Sequence, residues 1–363
     1  MIRPFLKTIA LGFVVQSALH LVCFAEPSSA ELSGPLAAVT VDPNLPHYAA
    51  RTPVSGVFKV HGSDTMSLLL ARLSMEFQRL QPKTAIEVRG GGSVKAIAEL
   101  LQPPLSKTSK VMLFEERAAH VQLIATSREL RDAEVKAFVA QHGYEPTAIP
   151  VAVDAVALYV HKDNPLPGLT LDQADAIFST TRKRGGKIEI AQWGHLGLGD
   201  GWGQAPIRLY GRDRRSGTKE FFQEHCLEGG DFKPGIHEAP GAASVVLDLS
   251  RDPLGIGYSG LALQSSAVRV VPIADAPGRP LVTPSLETVA DHTYPLRRVL
   301  YLYLDQPPKT PVPAAVQEFL TFILSQEGQQ AVTKAGFFPL PSTRVTRGAI
   351  ALGFSTNSTQ IQQ

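Results

Sequence analysis

Tyr210-Gly211-Arg212-Asp213-Arg214-Arg215-Ser216-Gly217-Thr218-Lys219-Glu220-Phe221-Phe222 is the stretch from which the rest of the chain is best read. An apolar lead-in, Pro206 to Tyr210, has the character of a strand, and Lys219 to His225 fits a helix. Between them lie three arginines within four positions, then Ser216-Gly217-Thr218. Ser and Thr cap helices by accepting bonds from the first unpaired N–H groups. Those N–H groups and the positive end of the helix dipole attract anions. Glycine lets a ligand approach the backbone, and arginine offers a fixed fork of donors to oxyanions. The arrangement suits a small oxyanion site. It equally describes an ordinary capped helix beside a solvated basic loop.

Three more junctions of the same kind precede it. Val57-Phe58-Lys59-Val60 alternates as a strand and runs into Gly62-Ser63-Asp64-Thr65. Leu69, Leu70, Leu73, Phe77 and Leu80 then recur at helical spacing, and Pro82 closes the helix. Ala85 to Val88 is a strand followed by Gly90-Gly91-Gly92-Ser93 and a helix carrying Ile97, Leu100 and Leu101. It is not a P-loop, because no Gly-Lys-Ser/Thr ends it. Val121 to Ala125 leads into Thr126-Ser127-Arg128, and Glu129 to His142 reads as a helix stopped by Gly143. One hydroxyl at a helix start is usually a cap. Four, each after a strand, fit the rule that ligands of open α/β sheets sit beyond the carboxyl ends of strands.

The remainder sets the frame. The chain has 363 residues, 44% apolar and 19% charged, enough for two ordinary domains. Residues 1–25 have a basic start, Arg3 and Lys7, an apolar run, and small residues before a cut expected after Ala25, as in a secretory signal peptide. A membrane anchor or a lipidated Cys23 fits less well, given the short run with His20 and the bulky Val22. Cleavage removes two of 35 basic residues and none of 33 acidic ones, leaving 33 of each. The charge balance therefore gives no support to nucleic-acid binding. Cys226 remains alone and reads as a buried structural thiol.

Residues 26–53, rich in Pro, Ala and Ser, read as a flexible leader, and Gln102 to Ala119 as a surface excursion. Ile149 to Val160 is a long β-rich run and a candidate crossing between two lobes. Leu171 to Phe178 and Ala242 to Leu249 read as helices. Val268 to Val271 is expected to be a strand and the return crossing. Arg298 to Tyr303 alternates as a strand, Val312 to Leu324 reads as a helix, and residues 346–363 form a polar tail.

These pieces resemble the periplasmic phosphate-binding proteins of high-affinity phosphate ABC transporters. The resemblance rests on the four junctions, on Arg212 four residues before Ser216-Gly217-Thr218, on Asp175 to Ser179 with Trp193 downstream, and on Ile256-Gly257-Tyr258; it covers about Val57 to Phe338. It implies an α/β, two-lobed periplasmic-binding-protein fold of type II. Each lobe would be a mixed sheet flanked by helices, 54–152 plus 265–345 and 153–264, joined by two crossing strands. It implies a phosphate in the cleft held by Ser63, Asp64, Thr65, Ser93, Ser127, Arg128, Arg212, Ser216, Gly217 and Thr218. It implies a monomeric periplasmic receptor that works with permease and ATPase subunits and has no catalysis, cofactor or metal. Arg214 and Arg215 fall outside the family's arginine position and are expected at the rim. Many members carry Asp where this chain has Ser127, which leaves Asp64 either as a relocated acceptor-only carboxylate or as a helix N-cap.

Three other readings compete. A secreted phosphohydrolase would need a metal cluster or an activated nucleophile, yet the ten His are scattered without an HExxH run, and Ser216 and Thr218 have no base nearby in sequence. A surface protein reusing the fold, and a receptor for another tetrahedral oxyanion, remain open.

Overall fold

A fifteen-residue strand, β4 (Thr147–His161), is the spine of the molecule. Its sequence is almost continuously apolar and almost continuously buried, because both of its faces are covered. The computed structural model describes residues 39–49, 53–103, 122–263 and 265–353. The expected signal peptide, most of the expected Gln102 to Ala119 excursion and the last residues of the expected tail lie outside them.

The first part of β4, Thr147 to Ala155, pairs antiparallel with β11 (Arg297–Leu304). That strand in turn pairs with β3 (Gln122–Thr126), which lies beside β1 (Ser55–Gly62) and β2 (Lys83–Arg89), the last three being parallel. From Val156 onward β4 changes partners. It pairs with β8 (Gly255–Gly260), beyond which come β6 (Arg208–Arg212) and β7 (His237–Ala239). The order is β2-β1-β3-β11-β4-β8-β6-β7. Two mixed sheets thus share one strand and change over at Ala155/Val156.

The expected return crossing is corrected by strand pairing. β9 (Val268–Val271) lies antiparallel on Leu158 to His161, and β10 (Ile273–Ala274) pairs with β5 (Leu169–Thr170), so both stay with the second half of β4. The chain returns later, just before β11. There the Val156 N–H donates to the Leu296 carbonyl (2.9 Å) and the Tyr294 hydroxyl to the Val156 carbonyl (2.8 Å).

Helices α1 (Ser67–Leu80) and α2 (Ser93–Leu100) follow β1 and β2, and α3 (Asp132–His142) follows β3. α4 (Leu171–Phe178), α5 (Gly217–His225) and α6 (Ala242–Leu249) belong to the second sheet's side. α7 (Leu286–Ala290) precedes the return, and α8 (Ala314–Ile323), α9 (Gln326–Lys334) and α10 (Ser342–Ala351) follow β11. α10 makes the start of the expected polar tail helical. No described helix is long and apolar enough to cross a membrane.

Each sheet carries its own aromatic core. Phe58, Phe77, Phe319 and Phe322 pack beside the first, with centroids 5.3–5.7 Å apart. Part of the expected leader joins them: Val41 and Leu45 are buried, and Tyr48 sits edge-on to Phe322. These anchors are spaced without a period in a Pro-rich stretch, so their packing has no signature in the pattern. On the second side Tyr258 stacks on Phe222 at 4.0 Å, and Phe178 meets both edge-on. Cys226 is buried there, and burial pushes its thiol up.

Candidate oxyanion site between two sheets

The four strand–helix junctions meet. At the first, Gly62 ends β1 and residues Asp64 to Met66 form a single 3₁₀ turn before α1. Asp64 is therefore no cap of α1: the capping position of the turn is Ser63, whose side chain makes no capping bond, and that of α1 is Met66. The Asp64 carboxylate instead reaches sideways. Its Oδ1 accepts the Gly91 N–H of the second junction (3.0 Å), and its Oδ2 faces Arg212 Nη2 (3.4 Å). Ser63 and Thr65 are buried beside it.

At the second and third junctions Ser93 opens α2 and Ser127 follows β3. Ser93 Oγ accepts the Ser127 N–H at 3.1 Å and lies 3.2 Å from Ser127 Oγ. The turn is held by Thr126 Oγ1 donating to the Arg128 carbonyl (2.7 Å).

At the fourth, Ser216 caps α5: its Oγ accepts from the N–H groups of Thr218 (3.1 Å) and Lys219 (3.4 Å). Gly217, the first residue of α5, faces the two serines of the other sheet. A Cβ on Gly217 would stand 2.7 Å from Ser93 Oγ and 2.8 Å from Ser127 Oγ. The same approach recurs at Gly92, where φ is +93° and a Cβ would meet the Arg215 carbonyl at 2.2 Å. That carbonyl accepts the Val94 N–H (3.1 Å). The starts of α2 and α5 therefore touch across the cleft between the sheets.

Arg212 ends β6 and is 1% exposed. Its Nη2 donates to the Pro240 carbonyl (3.1 Å), its backbone N–H reaches the Tyr258 hydroxyl (3.4 Å), and its Nε and Nη1 are buried without partners among the described residues. Burial pushes the guanidinium below its ordinary value, and the Asp64 carboxylate acts against that. An arginine nevertheless stays charged. A buried cation with two unspent donor atoms, together with the buried hydroxyls of Thr65, Ser93, Ser127, Ser216 and Thr218 on the same four junctions, has the chemistry to hold an anion of several oxygens.

Nine of the ten residues singled out from sequence converge here. The tenth, Arg128, turns elsewhere. Its guanidinium is taken up by Glu134 (Nη1–Oε2 2.8 Å, Nη2–Oε1 2.7 Å), the Glu129 carbonyl (2.8 Å) and Glu220 of α5 (Nε–Oε2 2.7 Å). Arg128 thus belongs to an ionic tie between β3's side and α5. Arg131 joins it at Glu220 (3.2 Å). Arg215 pairs with its neighbour Asp213 and is half exposed, as expected of a rim residue.

Two residues beneath the site are absent from the sequence-derived set. Arg298 of β11 and Asp154 of β4 are register partners, both fully buried, with Nε and Nη2 on Oδ2 at 3.0 and 2.7 Å. Burial raises the Asp154 carboxyl and lowers the Arg298 guanidinium, and each partner opposes the other's shift.

With that geometry in hand, comparison with known proteins is informative. Residues 48–327 match the family described as the PBP superfamily domain. Over 317 residues the chain is 41% identical to the phosphate-binding protein PstS of Pseudomonas aeruginosa, covering 87% of this chain and 93% of that one. The chain belongs to the PstS-type phosphate-binding protein family. A more distant member, the phosphate-binding protein PstS of Bacillus subtilis, is 25% identical over 81% of this chain and 84% of its own length. Among solved structures, a Clostridium perfringens substrate-binding protein with bound phosphate superimposes with a TM-score of 0.62 at 23% identity, over 79% of this chain and 100% of the other. An ABC-type phosphate transport receptor from Vibrio cholerae gives 0.56 at 20% identity, over 78% and 100%. These likenesses show the fold: the two mixed sheets sharing β4 are the type II arrangement of this family.

Proposed function

We propose that this protein is a solute-binding receptor that captures inorganic phosphate between its two lobes and presents it to the permease and ATPase subunits of an ABC transporter. The observation that carries the reading is Arg212, a buried cation whose Nε and Nη1 have no partner among the described residues, on a junction that meets those carrying the buried hydroxyls of Thr65, Ser93, Ser127, Ser216 and Thr218. Thr65, Ser93, Ser127 and Thr218 supply hydroxyls, Gly217 supplies a backbone N–H group, and Asp64 holds Arg212 in place. Ser216 acts chiefly by shaping the helix start, and Arg128 by tying the lobes together. The pairings of β9 and β10 support drawing the second lobe as residues 156–290 instead of 153–264, with the first lobe built from the segments on either side. Secretion to the periplasm after a cut at Ala25, and a monomeric state, complete the proposal.

Calorimetry of the mature protein with phosphate, sulfate, arsenate and molybdate tests it. Phosphate, and arsenate of the same shape and protonation, should bind with sulfate and molybdate weaker. Absence of heat with phosphate, or a preference for sulfate, overturns the reading.

A further inference from the structure

Thr218 is touched from below by a residue that cannot share a proton in both directions. Arg298 Nη1 lies 3.0 Å from Thr218 Oγ1, while the other edge of the guanidinium is fixed on Asp154 and its face lies over the Phe221 ring at 5.5 Å. A guanidinium has five donors and no acceptor, so the bond runs one way, from Arg298 into a lone pair of Thr218. The Thr218 backbone N–H is already given to Ser216 Oγ. The hydroxyl proton of Thr218 cannot point back at Arg298. It is left to turn toward the site, where Thr65 Oγ1 lies 3.0 Å away and either hydroxyl can be the donor.

We propose that Arg298 is a positioning residue for the ligand: by donating to Thr218 it takes one of that hydroxyl's two lone pairs and turns its proton away from β11 toward the site, which favours an unprotonated ligand oxygen there. The pair with Asp154 is what makes this stable. Asp154 and Arg298 bring no net charge, and β4 and β11 hold them in register, so the hydroxyl is oriented without adding to the charge of the site. A threonine without such a neighbour can rotate and accept a ligand proton instead. The arrangement therefore favours the form of a polyprotic oxyanion with fewer protons.

This inference rests on the phosphate reading, and the test separates the two. Phosphate affinity is measured at pH values on either side of the ligand's second ionisation for the parent, the double variant Asp154→Asn/Arg298→Met, and both with Thr218→Val added. The double variant keeps the net charge of the site, so a shift in pH profile cannot be ascribed to a lost cation. It should bind more weakly on the alkaline side by on the order of ten-fold, the scale of one charge-assisted hydrogen bond, and much less so on the acid side. With Thr218→Val in both proteins the difference in profile should vanish. Arg298→Lys gives a second arm with the ion pair retained. One ammonium replaces the fork, so it keeps Asp154 but cannot also hold Thr218, and it should show the same displacement toward acid. An equal loss at every pH, or a displacement that survives Thr218→Val, overturns the inference while leaving phosphate binding intact. A parent that binds no phosphate overturns the reading beneath it.

Discussion

Replacing Glu220 by Gln should loosen the grip on the ligand without loosening the fold. Glu220 sits in the first turn of α5, beyond the cleft from Arg128, and takes its Nε at 2.7 Å. Arg128 is only 5% exposed at its side chain and Glu220 22%, so solvent screens this contact little. A hydrogen bond to a charged partner is worth about 1.5–3 kcal/mol net. The added contact with Arg131, 43% exposed, is worth less than about 1 kcal/mol. Glutamine keeps the shape and one acceptor, so the expected loss is about 1–3 kcal/mol in the closed arrangement, or roughly 5- to 150-fold in affinity. Arg128 would keep both Glu134 oxygens and the Glu129 carbonyl, so no buried charge is stranded and the melting temperature should hardly change. The change should appear in the dissociation rate, since the tie joins Arg128 to Glu220 across the cleft. Stopped-flow phosphate displacement, run at low and high salt, gives the answer. Because the Arg128 contact is buried, salt should change the difference between the two proteins only slightly, through the exposed Arg131 contact. Equal dissociation rates in the two proteins would show that the tie does not hold the cleft shut.

Arg212→Ala should lower phosphate affinity by about 2–5 kcal/mol, the cost of leaving a desolvated anion without its cation; calorimetry that finds parent-like binding removes Arg212 from the site. Asp64→Asn should narrow the ratio of phosphate to sulfate affinity, because an amide can donate to either anion where a carboxylate only accepts. If Asp64 does no more than hold Arg212, competition binding will show both anions changed alike and the ratio unmoved. Burial works to raise the Glu134 carboxyl, but the bonds from Arg128 and the Arg131 N–H outweigh it and hold it below its ordinary 4.5. A depressed carboxylate stabilises the folded protein fully above that value and progressively less as pH falls through its folded value. Glu134→Gln should accordingly flatten the acid limb of melting temperature against pH; an unchanged limb denies Glu134 that role.

The candidate site was legible in the sequence because each of its parts is local. A strand, a glycine, a hydroxyl and a helix start occupy consecutive positions, and the cap and dipole follow from those few residues alone. What lay beneath was not. Asp154 is the one carboxylate of β4 and Arg298 shares β11 with Arg297, and only the register of β4 against β11 makes Asp154 and Arg298 partners. The signal was present in Arg297-Arg298 within a buried strand, since a charge there demands a counterion. Arg128 was placed with the ligand residues because it adjoins Ser127, whereas Glu134, six positions on, decides where its side chain goes. Val268 to Val271 reads correctly as a strand, but alternation of side chains carries no information about which strand lies alongside, so the return crossing was placed too early.

The sharing of β4 has a bearing on how the chain acquires its shape. β4 cannot be flanked on its first half until β11 has been made, and β11 comes after the whole of the second sheet. β3 waits for the same strand on its open edge. The first sheet is therefore left split, with its central strand missing, until nearly all of the described chain has been synthesised. Pairings between such distant segments form slowly, because loop closure must come before the contacts that repay it. A polypeptide of this topology stays unfinished for most of its emergence from the ribosome, a property that would suit the proposed passage through a membrane before folding.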